Sequence, residues 1–386
     1  HVSDLIASDI ESYLALHEQK ELLRFITCGS VDDGKSTLIG RMLYESHMLF
    51  DDHLAALKVD SKKVGTQDGD IDFALLVDGL AAEREQGITI DVAYRFFSTD
   101  KRKYIVADTP GHEEYTRNMA TGASTADVAI ILIDATQGVL TQTRRHSFIV
   151  SMVGVKRIVL AINKLDLVDY SQSIFEKIVA DYQEFADNAL TLDEITAIPI
   201  SALKGDNIVD SSPNTPWYDG LSVIEYLESV PVSSTSQSRS FRMPVQWVNR
   251  PNREFRGFTG MIASGMIEKG QNVRVLPSGR ESKIKGIITQ DGDLDLAGAG
   301  RSITLTLDDE IDISRGDIIS ASSNPCSLGD QFQSHILWMD DSSMTPGREY
   351  LFKANTQTTS MTLGRLKYKI DVNTLEHTPC LLYTSD

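Results

Sequence analysis

The segment Gly29–Ser36, with the sequence GSVDDGKS, has the residue types and spacing of a phosphate-binding loop. It fits the pattern G-x-x-x-x-G-K-[ST], in which glycines let the backbone approach a phosphate and consecutive N–H groups surround it. Lys35 is expected to reach the β- and γ-phosphates, and the Ser36 hydroxyl to coordinate Mg²⁺. An apolar run precedes the segment and a helix-compatible run follows it, so an ordinary glycine turn is the weaker interpretation.

A second pattern, D-x-x-G, occupies Asp108–Gly111 at the end of a predicted strand. Asp108 is expected to hold Mg²⁺ through a bound water, and the Gly111 N–H to contact the γ-phosphate. His112 follows directly, where a ring nitrogen can orient an attacking water. A lone histidine is more often structural, and the other histidines show no metal-ligand spacing. The position after D-T-P-G therefore makes His112 the predicted catalytic residue beside Lys35.

The base is indicated by a third pattern, N-K-x-D, at Asn163–Asp166. The Asp166 carboxylate can accept hydrogen bonds from both N1–H and the exocyclic amine of guanine, a donor pair that adenine lacks. Asn163 is expected to fix the loop near the base, and the stem of Lys164 to cover its face. The segment Ser201–Leu203 follows a later strand and is expected to supply backbone donors towards guanine O6. The predicted nucleotide is GTP.

The segment Gly87–Ile90 matches a first switch, in which Thr89 would coordinate Mg²⁺ only while a γ-phosphate is present. The predicted ligands of Mg²⁺ are therefore Ser36, Thr89 and Asp108. The predicted GTP-binding residues are Gly29, Ser30, Val31, Asp32, Asp33, Gly34, Lys35, Ser36, Thr37, Asp108, Thr109, Pro110, Gly111, His112, Asn163, Lys164, Asp166, Ser201, Ala202 and Leu203.

Strands and helices alternate between residues 92 and 229, the pattern of a doubly wound, mostly parallel sheet whose ligand lies at the carboxyl ends of its strands. Residues 1–21 are predicted as an amphipathic helix, and the acidic segment 44–87 as a functional or mobile insert. The predicted strands cover residues 92–97, 103–107, 128–133, 157–162 and 195–200. The predicted helices cover residues 141–153, 171–185 and 218–229.

After a linker at 231–240, the sequence changes to short β-rich segments with glycine turns and no helical period. We therefore predict an α/β P-loop GTPase domain (1–230) followed by two small β-barrel domains (241–325 and 326–386), the last incomplete. The predicted strands of these domains cover residues 244–249, 257–264, 272–276, 283–289, 302–307, 317–321, 332–339, 350–354 and 363–370.

The composition constrains location and partners. The chain has 386 residues, which favours two or three domains, and a formal net charge of −18. Such an acidic chain disfavours nucleic-acid binding unless basic residues gather on one face. There is no apolar run of the roughly 18 residues that span a bilayer, and no basic leader. Three scattered cysteines fit a reducing compartment, so we expect a cytoplasmic protein with no membrane association.

The motifs resemble those of the translation-factor class of GTPases, which includes elongation factor Tu and elongation factor 1-alpha. Within the class, three stretches are similar to the GTPase (large) subunit of bacterial sulfate adenylyltransferase, or ATP sulfurylase: Gly29–Arg41, Leu76–Tyr94 and Pro244–Phe258. Elongation factors of the Tu type usually carry His where this sequence has Asp33 and Thr where it has Ser36. These departures favour the sulfate-activating family.

The resemblance implies a reaction that the residues alone do not. It implies a subunit that uses GTP and Mg²⁺ and couples GTP hydrolysis to the formation of adenosine 5′-phosphosulfate and pyrophosphate from ATP and sulfate, in sulfate assimilation. It also implies a heterodimer in which a smaller catalytic ATP sulfurylase subunit performs the adenylyl transfer.

Two other functions remain open on sequence alone. An elongation factor that carries aminoacyl-tRNA would need a basic face, for which Arg250, Arg253, Arg256 and Arg280 are a thin set. A nucleotide-gated interaction module would bind GTP without a coupled enzyme. Retention of aminoacyl-tRNA at physiological salt distinguishes the first alternative, and the absence of a GTP effect on pyrophosphate release distinguishes the second.

Overall fold

A computed structural model of the chain describes residues 20–46, 73, 89, 91–231, 238–253 and 255–380. The predicted N-terminal helix and most of the acidic segment 44–87 lie outside these residues. The chain forms two compact units, the first made of residues 1–232 with 369–379 and the second of residues 233–368 with 380–386.

The first unit is built on a six-stranded sheet in the order β2-β3-β1-β4-β5-β6. All neighbouring strands are parallel except β2, which pairs antiparallel with β3 at one edge. The strands are β1 (Glu21–Cys28), β2 (Ala93–Ser98), β3 (Arg102–Asp108), β4 (Val128–Asp134), β5 (Arg157–Asn163) and β6 (Glu194–Pro199). The helices are α1 (Lys35–Glu45), α2 (Thr116–Ala123), α3 (Thr141–Met152), α4 (Gln172–Ala189) and α5 (Val223–Ser229).

Strand β4 shows why this sequence forms a parallel sheet. Its seven residues, VAIILID, are all buried, as expected for a central strand covered on both faces. The strand order reverses at β1, which has β3 on one side and β4 on the other. A reversal of this kind opens a crevice at the carboxyl ends of the strands, where ligands of open α/β sheets bind. All predicted motifs of the first unit that the structure describes follow such ends.

One predicted helix of this unit is too long. The helix predicted at 218–229 begins at Val223, because Ser222 caps it. The Ser222 hydroxyl accepts from the Glu225 N–H at 3.3 Å, and the Glu225 carboxylate accepts from the Ser222 N–H at 2.8 Å. This reciprocal pair fixes the start of a helix.

The second unit is largely antiparallel, with one sheet in the order β7-β16-β11-β12-β15-β9-β8 and β13 paired to β12. A bridge between Arg242 and Ser264 links the first strand to the segment after β9. The strands enclose one apolar core that includes Phe241, Val273 and Leu305. The bounds are β7 (Arg242–Pro244), β8 (Trp247–Asn249), β9 (Gly257–Met261), β10 (Met266–Glu268), β11 (Asn272–Leu276), β12 (Glu281–Thr289), β13 (Gly292–Leu294), β14 (Leu296–Gly298), β15 (Ser302–Leu307) and β16 (Ile318–Ala321).

The strand predicted at 244–249 is two strands, because the chain changes partner in the middle. The Val245 N–H donates to the Asp317 carbonyl at 2.8 Å, whereas the next N–H, of Gln246, donates to the Thr259 carbonyl at 2.8 Å. The sequence PVQWVN contains apolar residues in both halves and does not reveal the switch.

The last part of the chain forms two hairpins, β17 (Glu349–Ala354) with β18 (Gln357–Thr362), and β19 (Tyr368–Ile370) with β20 (His377–Pro379). The prediction of a strand at 332–339 is wrong: the segment is extended without regular structure, and Phe332 is 79% exposed. A strand requires a hydrogen-bonded neighbour as well as a pattern, and no described strand pairs with this segment. Of the predicted strand 363–370, only β19 forms.

Candidate functional site

The phosphate-binding pattern lies between the end of β1 and the start of α1. Gly29 and Gly34 have positive φ angles, 151° and 90°, which L-residues with side chains rarely adopt. A Cβ at Gly34 would collide with the side-chain amide of Asn163, so this glycine also permits a close approach of the two loops. Asp32, at φ 68°, completes the turn and is exposed.

Lys35 is the first residue of α1, and its side chain folds back over the loop. Its ammonium donates to the Ser30 carbonyl at 2.6 Å and to the Gly29 carbonyl at 3.4 Å, and the residue is buried. Burial lowers the pKa of Lys35, whereas the neighbouring carboxylates of Asp33 and Asp108 raise it. The charge therefore lies within the loop, where two carbonyl oxygens accept its hydrogen bonds and two carboxylates attract it.

Asp33, the residue that departs from the elongation factors, is buried inside the loop. Its carboxylate accepts from the Ser30 N–H at 2.5 Å. Burial raises the pKa of Asp33 to about 6, against the lowering effect of Lys35 and of the Ser30 N–H. The side chain thus closes the turn from within.

Two of the three predicted metal ligands, Ser36 and Asp108, lie close together, one in the first turn of α1 and the other at the carboxyl end of β3. The Ser36 hydroxyl donates to Asp108 Oδ2 at 3.1 Å, and the Thr27 hydroxyl approaches Oδ1 of the same carboxylate at 3.4 Å. Thr109, buried beside them, donates to the Thr27 carbonyl at 2.6 Å. Thr89 is half-buried, but Ile88 and Ile90 lie outside the described residues, so its role at the metal stays a prediction.

The predicted base-binding residues are joined to the phosphate loop through Asn163. Its side-chain amide donates to the Asp33 carbonyl at 2.7 Å and accepts from the Ala202 N–H at 2.9 Å. One buried side chain therefore connects the G-K-S, N-K-x-D and S-A-L segments. Asp166 follows on a short 3-10 helix, Leu165–Val168, and is partly exposed.

His112 lies at the exposed end of the D-T-P-G segment. Its Nδ1 accepts from the Glu114 N–H at 3.3 Å and caps the short 3-10 helix Glu113–Tyr115. Glu113 in turn pairs with Arg145 of α3 at 3.0 Å, which links the segment to that helix. Within the part of the chain that the structure describes, Nε2 has no hydrogen-bond partner, so it is accessible to a ligand.

The other predicted residues lie in the same loops. The exposure of these residues varies from buried (Pro110, Gly111, Ser201) to half-buried (Val31, Thr37, Leu203). Gly111 packs against the phosphate loop, since a Cβ there would lie 2.8 Å from the carbonyl carbon of Ser30. The structure thus brings the three motif loops to one edge of the sheet.

The model of the elongation factor Tu GTP-binding domain matches residues 20–240, and the model of the GTP-eEF1A C-terminal domain-like family matches residues 331–382. Sulfate adenylyltransferase subunit 1 of Saccharophagus degradans is 58% identical over 377 residues, which cover 98% of this chain and 80% of that protein. The subunit 1 of Aliarcobacter butzleri is 59% identical over 97% of this chain and 81% of that protein. The chain belongs to the sulfate adenylyltransferase subunit 1 family.

The fold is shared more widely than the sequence. The GTPase-like domain of Saccharomyces cerevisiae Ski7, solved with GDP and inorganic phosphate, superposes with a TM-score of 0.52 at 19% identity, covering 92% of this chain and 87% of that chain. Together with the two family models, the two units confirm the predicted fold class, a GTPase domain followed by β domains. None of the described helices combines the length and apolar character that crossing a bilayer requires.

Sequence reasoning missed His146 in this member of the sulfate adenylyltransferase subunit 1 family. The residue lies on α3, fully buried behind the phosphate loop, and its Nδ1 accepts from the Gly29 N–H at 3.3 Å. Gln142, one helical turn earlier, places its side-chain nitrogen 3.1 Å from His146 Nε2 and donates to the Gly111 carbonyl at 2.9 Å. The i, i+4 spacing of the two residues on a helix was the available signal.

The acid stability of this family member should depend on His146. Burial lowers the pKa of His146 to about 3, helped by the charges of Lys35 and Arg145. The unfolded ring takes up a proton below its ordinary pKa near 6.5 and the folded ring does not, so folding stability falls as the pH drops from 6.5 towards 3. Between pH 6.5 and pH 5 this amounts to about 2 kcal/mol.

His146→Asn keeps an acceptor for Gly29 and removes the titration. Urea unfolding at pH 7.5 and pH 5.0 should therefore show a smaller acid-induced loss of unfolding free energy for the variant than for the parent. The exposed His335 supplies the control, since His335→Asn should leave the difference unchanged. Equal acid losses in the parent and in His146→Asn would contradict the assignment.

Proposed function

We propose that the chain is the GTP-hydrolysing subunit of a sulfate adenylyltransferase and couples GTP hydrolysis to the formation of adenosine 5′-phosphosulfate and pyrophosphate from ATP and sulfate. The main support is the convergence of three motif loops on Asn163, whose amide contacts both the phosphate loop and the S-A-L segment. The subunit 1 relatives supply the identity of the coupled reaction. The proposed domain division is 1–230, 241–325 and 326–386; the family matches at 20–240 and 331–382 are close to its first and last parts.

The phosphate loop is suited to a nucleotide tail. The Ser30 hydroxyl is buried and has no hydrogen-bond partner among the described residues, so a phosphate oxygen would provide its acceptor. The α1 helix begins directly after the loop, and its N-terminal N–H groups favour negative charge. Lys35 would exchange its two carbonyl contacts for phosphate oxygens, which carry a full charge and form stronger hydrogen bonds.

The donor set at the end of β3 fits Mg²⁺, which prefers oxygen ligands. The Ser36 hydroxyl and the Asp108 carboxylate lie 3.1 Å apart, and Thr89 is the proposed third residue. Bound there, the ion would neutralise charge that develops on the phosphate oxygens. Among the described residues, no cluster of three or more His, Cys, Asp or Glu side chains could hold a metal ion.

Asp166 would bind the guanine edge, and its partial exposure leaves the carboxylate accessible. Ala202 donates its N–H to Asn163, and Ser201 donates its N–H to the Asp206 carbonyl at 3.3 Å, so the donor towards guanine O6 would be the Leu203 N–H. A bound adenine would cover this carboxylate without offering it the two donors that guanine offers. The site should therefore prefer guanine.

His112→Ala should lower GTP turnover about 100-fold at saturating GTP with little change in GDP affinity, because the ring would orient water and would not hold the nucleotide. Single-turnover hydrolysis and a GDP titration measure the two quantities. Glu114→Ala, two residues away and also exposed, should change neither by more than about twofold. A loss of GDP affinity that matches the loss of turnover would show that His112 is a structural residue.

We further propose that the chain acts in the cytoplasm with a smaller catalytic subunit that performs the adenylyl transfer. The rival elongation-factor function lacks support, since Arg256 of the thin basic set pairs with Asp312 at 3.1 Å. Pyrophosphate release from ATP and sulfate by the reconstituted two-subunit complex tests the coupling. GTP should increase the release severalfold, and a non-hydrolysable GTP analogue should not. An unchanged rate would favour a nucleotide-gated interaction module instead.

A further inference from the structure

Asp134 is a buried carboxylate that none of the nucleotide motifs contains. It is the last residue of β4 and is 3% exposed. One oxygen, Oδ1, accepts from the N–H and the hydroxyl of Thr136 at 2.8 and 2.7 Å. The other, Oδ2, accepts from the ammonium of Lys164 at 2.8 Å. The Gln137 side-chain amide also donates to Oδ2, at 3.5 Å. Both oxygens are therefore engaged by the following turn, and Oδ2 in addition by the N-K-x-D loop.

The carboxylate holds its charge in this buried place. Burial alone would raise the pKa of Asp134, but hydrogen bonds from Lys164 and Thr136 outweigh it and keep the pKa below its ordinary value. A buried charge of this kind is costly unless its partners satisfy it fully. Among the described residues, its ion-pair partner is the Lys164 ammonium, whose side chain is 29% exposed.

Lys164 has a left-handed backbone conformation, and its ion pair with Asp134 stabilises the residue in this position. Its φ angle is 61°, in the left-handed region that is unfavourable for a non-glycine residue. It caps the 3-10 helix Leu165–Val168, and that helix carries Asp166. The conformation of Lys164 therefore sets the direction of the carboxylate proposed to read guanine.

The sheet places Asp134 where it can control this turn. Its Cα partner across the parallel ladder is Asn163, the residue before Lys164, and the Ala135 N–H donates to the Asn163 carbonyl at 2.9 Å. The Lys164 stem is consequently stretched from the end of β5 across to the end of β4. A stem fixed at both ends forms a wall, whereas a free lysine samples many rotamers and loses their entropy on binding.

We propose that Asp134 is a positioning residue for guanine-nucleotide binding that acts through Lys164. It holds the aliphatic stem of Lys164 as a fixed wall for the base and stabilises the left-handed turn that directs Asp166. It does not itself touch the nucleotide. The inference rests on the proposed function, because it requires that this loop binds a guanine nucleotide.

A double-mutant cycle on GDP affinity tests the proposal with the full chain. Asp134→Asn preserves shape and removes the charge, and it should weaken GDP binding about tenfold. Lys164→Gln should weaken it by at least as much. Because Asp134 acts through Lys164, the double variant should bind GDP within about twofold of Lys164→Gln alone. Additive losses in the double variant would overturn the proposal, as would an Asp134→Asn variant with the parent's affinity.

Asp127 provides a matched control at the opposite end of the same strand. Its carboxylate also accepts from a backbone N–H, that of Arg24 at 2.9 Å, but it lies at the amino end of β4, away from the motif loops. Asp127→Asn should leave GDP affinity unchanged even where it lowers thermal stability. A general loosening of the sheet would instead weaken GDP binding in both aspartate variants and would count against the proposal.

A milder variant keeps the test decisive if Asp134→Asn does not fold. Thr136→Ala removes one hydrogen bond to Oδ1 and leaves the ion pair, so it should weaken GDP binding about threefold in the parent and not at all beside Lys164→Gln. GDP binding by the parent protein distinguishes a failure of the proposed function from a failure of the role proposed for Asp134. If the parent itself fails to bind GDP, the proposed function is wrong; if the parent binds and the variants match it, only the role of Asp134 is wrong.

Discussion

Asp166→Asn is expected to change the preferred base from guanine to xanthine. The carboxylate can accept from both N1–H and the exocyclic amine of guanine, whereas an amide offers one acceptor and one donor. Xanthine carries a carbonyl in place of the amine, so the amide donor matches it. Loss of one hydrogen bond to a charged group, with repulsion between the amide and the guanine amine, should weaken GDP binding about 100-fold or more.

Competition between GDP and xanthosine diphosphate measures the exchange. The variant should bind xanthosine diphosphate more tightly than GDP, and the parent should show the reverse order. Asp169→Asn is the control, because Asp169 is an exposed acid three residues along and asparagine tolerates its left-handed φ of 53°. Undiminished GDP affinity in Asp166→Asn would remove the basis for guanine recognition by this loop.

Lys35→Ala is expected to abolish measurable GTP turnover, with a loss of about 1000-fold or more. A charged donor at the rim of the loop would stabilise charge on the β- and γ-oxygens as the bond to the leaving group breaks. The ammonium already lies 2.6 Å from a loop carbonyl, and it would exchange this contact for a phosphate oxygen. Its removal also leaves the Ser30 carbonyl without this donor, which should lower stability by about 1 kcal/mol.

Single-turnover hydrolysis with radiolabelled GTP measures the loss, and thermal unfolding shows that the variant folds. Lys101→Ala removes an exposed lysine of the same unit that pairs with Glu228 at 2.7 Å, and it should hydrolyse GTP as the parent does. Turnover within tenfold of the parent in Lys35→Ala would show that the loop is not the catalytic phosphate site.

The sequence predicts the motif loops well because each motif is local. Each motif occupies four to eight consecutive residues, and the buried apolar strand before it fixes its place at a strand end. The central strands β4 and β5 are recognisable for the same reason, since a continuous apolar run has few alternatives in a soluble chain.

The contacts that link these loops are not local, and the sequence does not reveal them. His146 and the Gly29 N–H that it receives are 117 positions apart, and Lys164 and Asp134 are 30 positions apart. Their proximity depends on the register of a parallel sheet and on the packing of α3 behind β1, which no local pattern encodes. The sequence therefore predicts that the motif segments follow strand ends, but it does not predict their contacts with His146 and Asp134.

The β regions illustrate a second limit. Short strands such as β10, β13 and β14 have three residues each, too few to show an alternation of apolar and polar side chains. The segment 332–339 is rich in apolar residues, but no described strand pairs with it. Strand formation depends on a partner distant in the chain, so the pattern is neither required nor sufficient.

Titration calorimetry of the unsubstituted chain with GTP, GDP and ATP in the presence of Mg²⁺ tests the central claim most directly, that one guanine nucleotide binds at the carboxyl ends of β1, β3 and β5. We predict one site per chain for GTP and for GDP, and an affinity for ATP at least about 100-fold weaker. Binding of ATP as tight as that of GTP, or no heat of binding at about 1 mM GTP, would contradict the account.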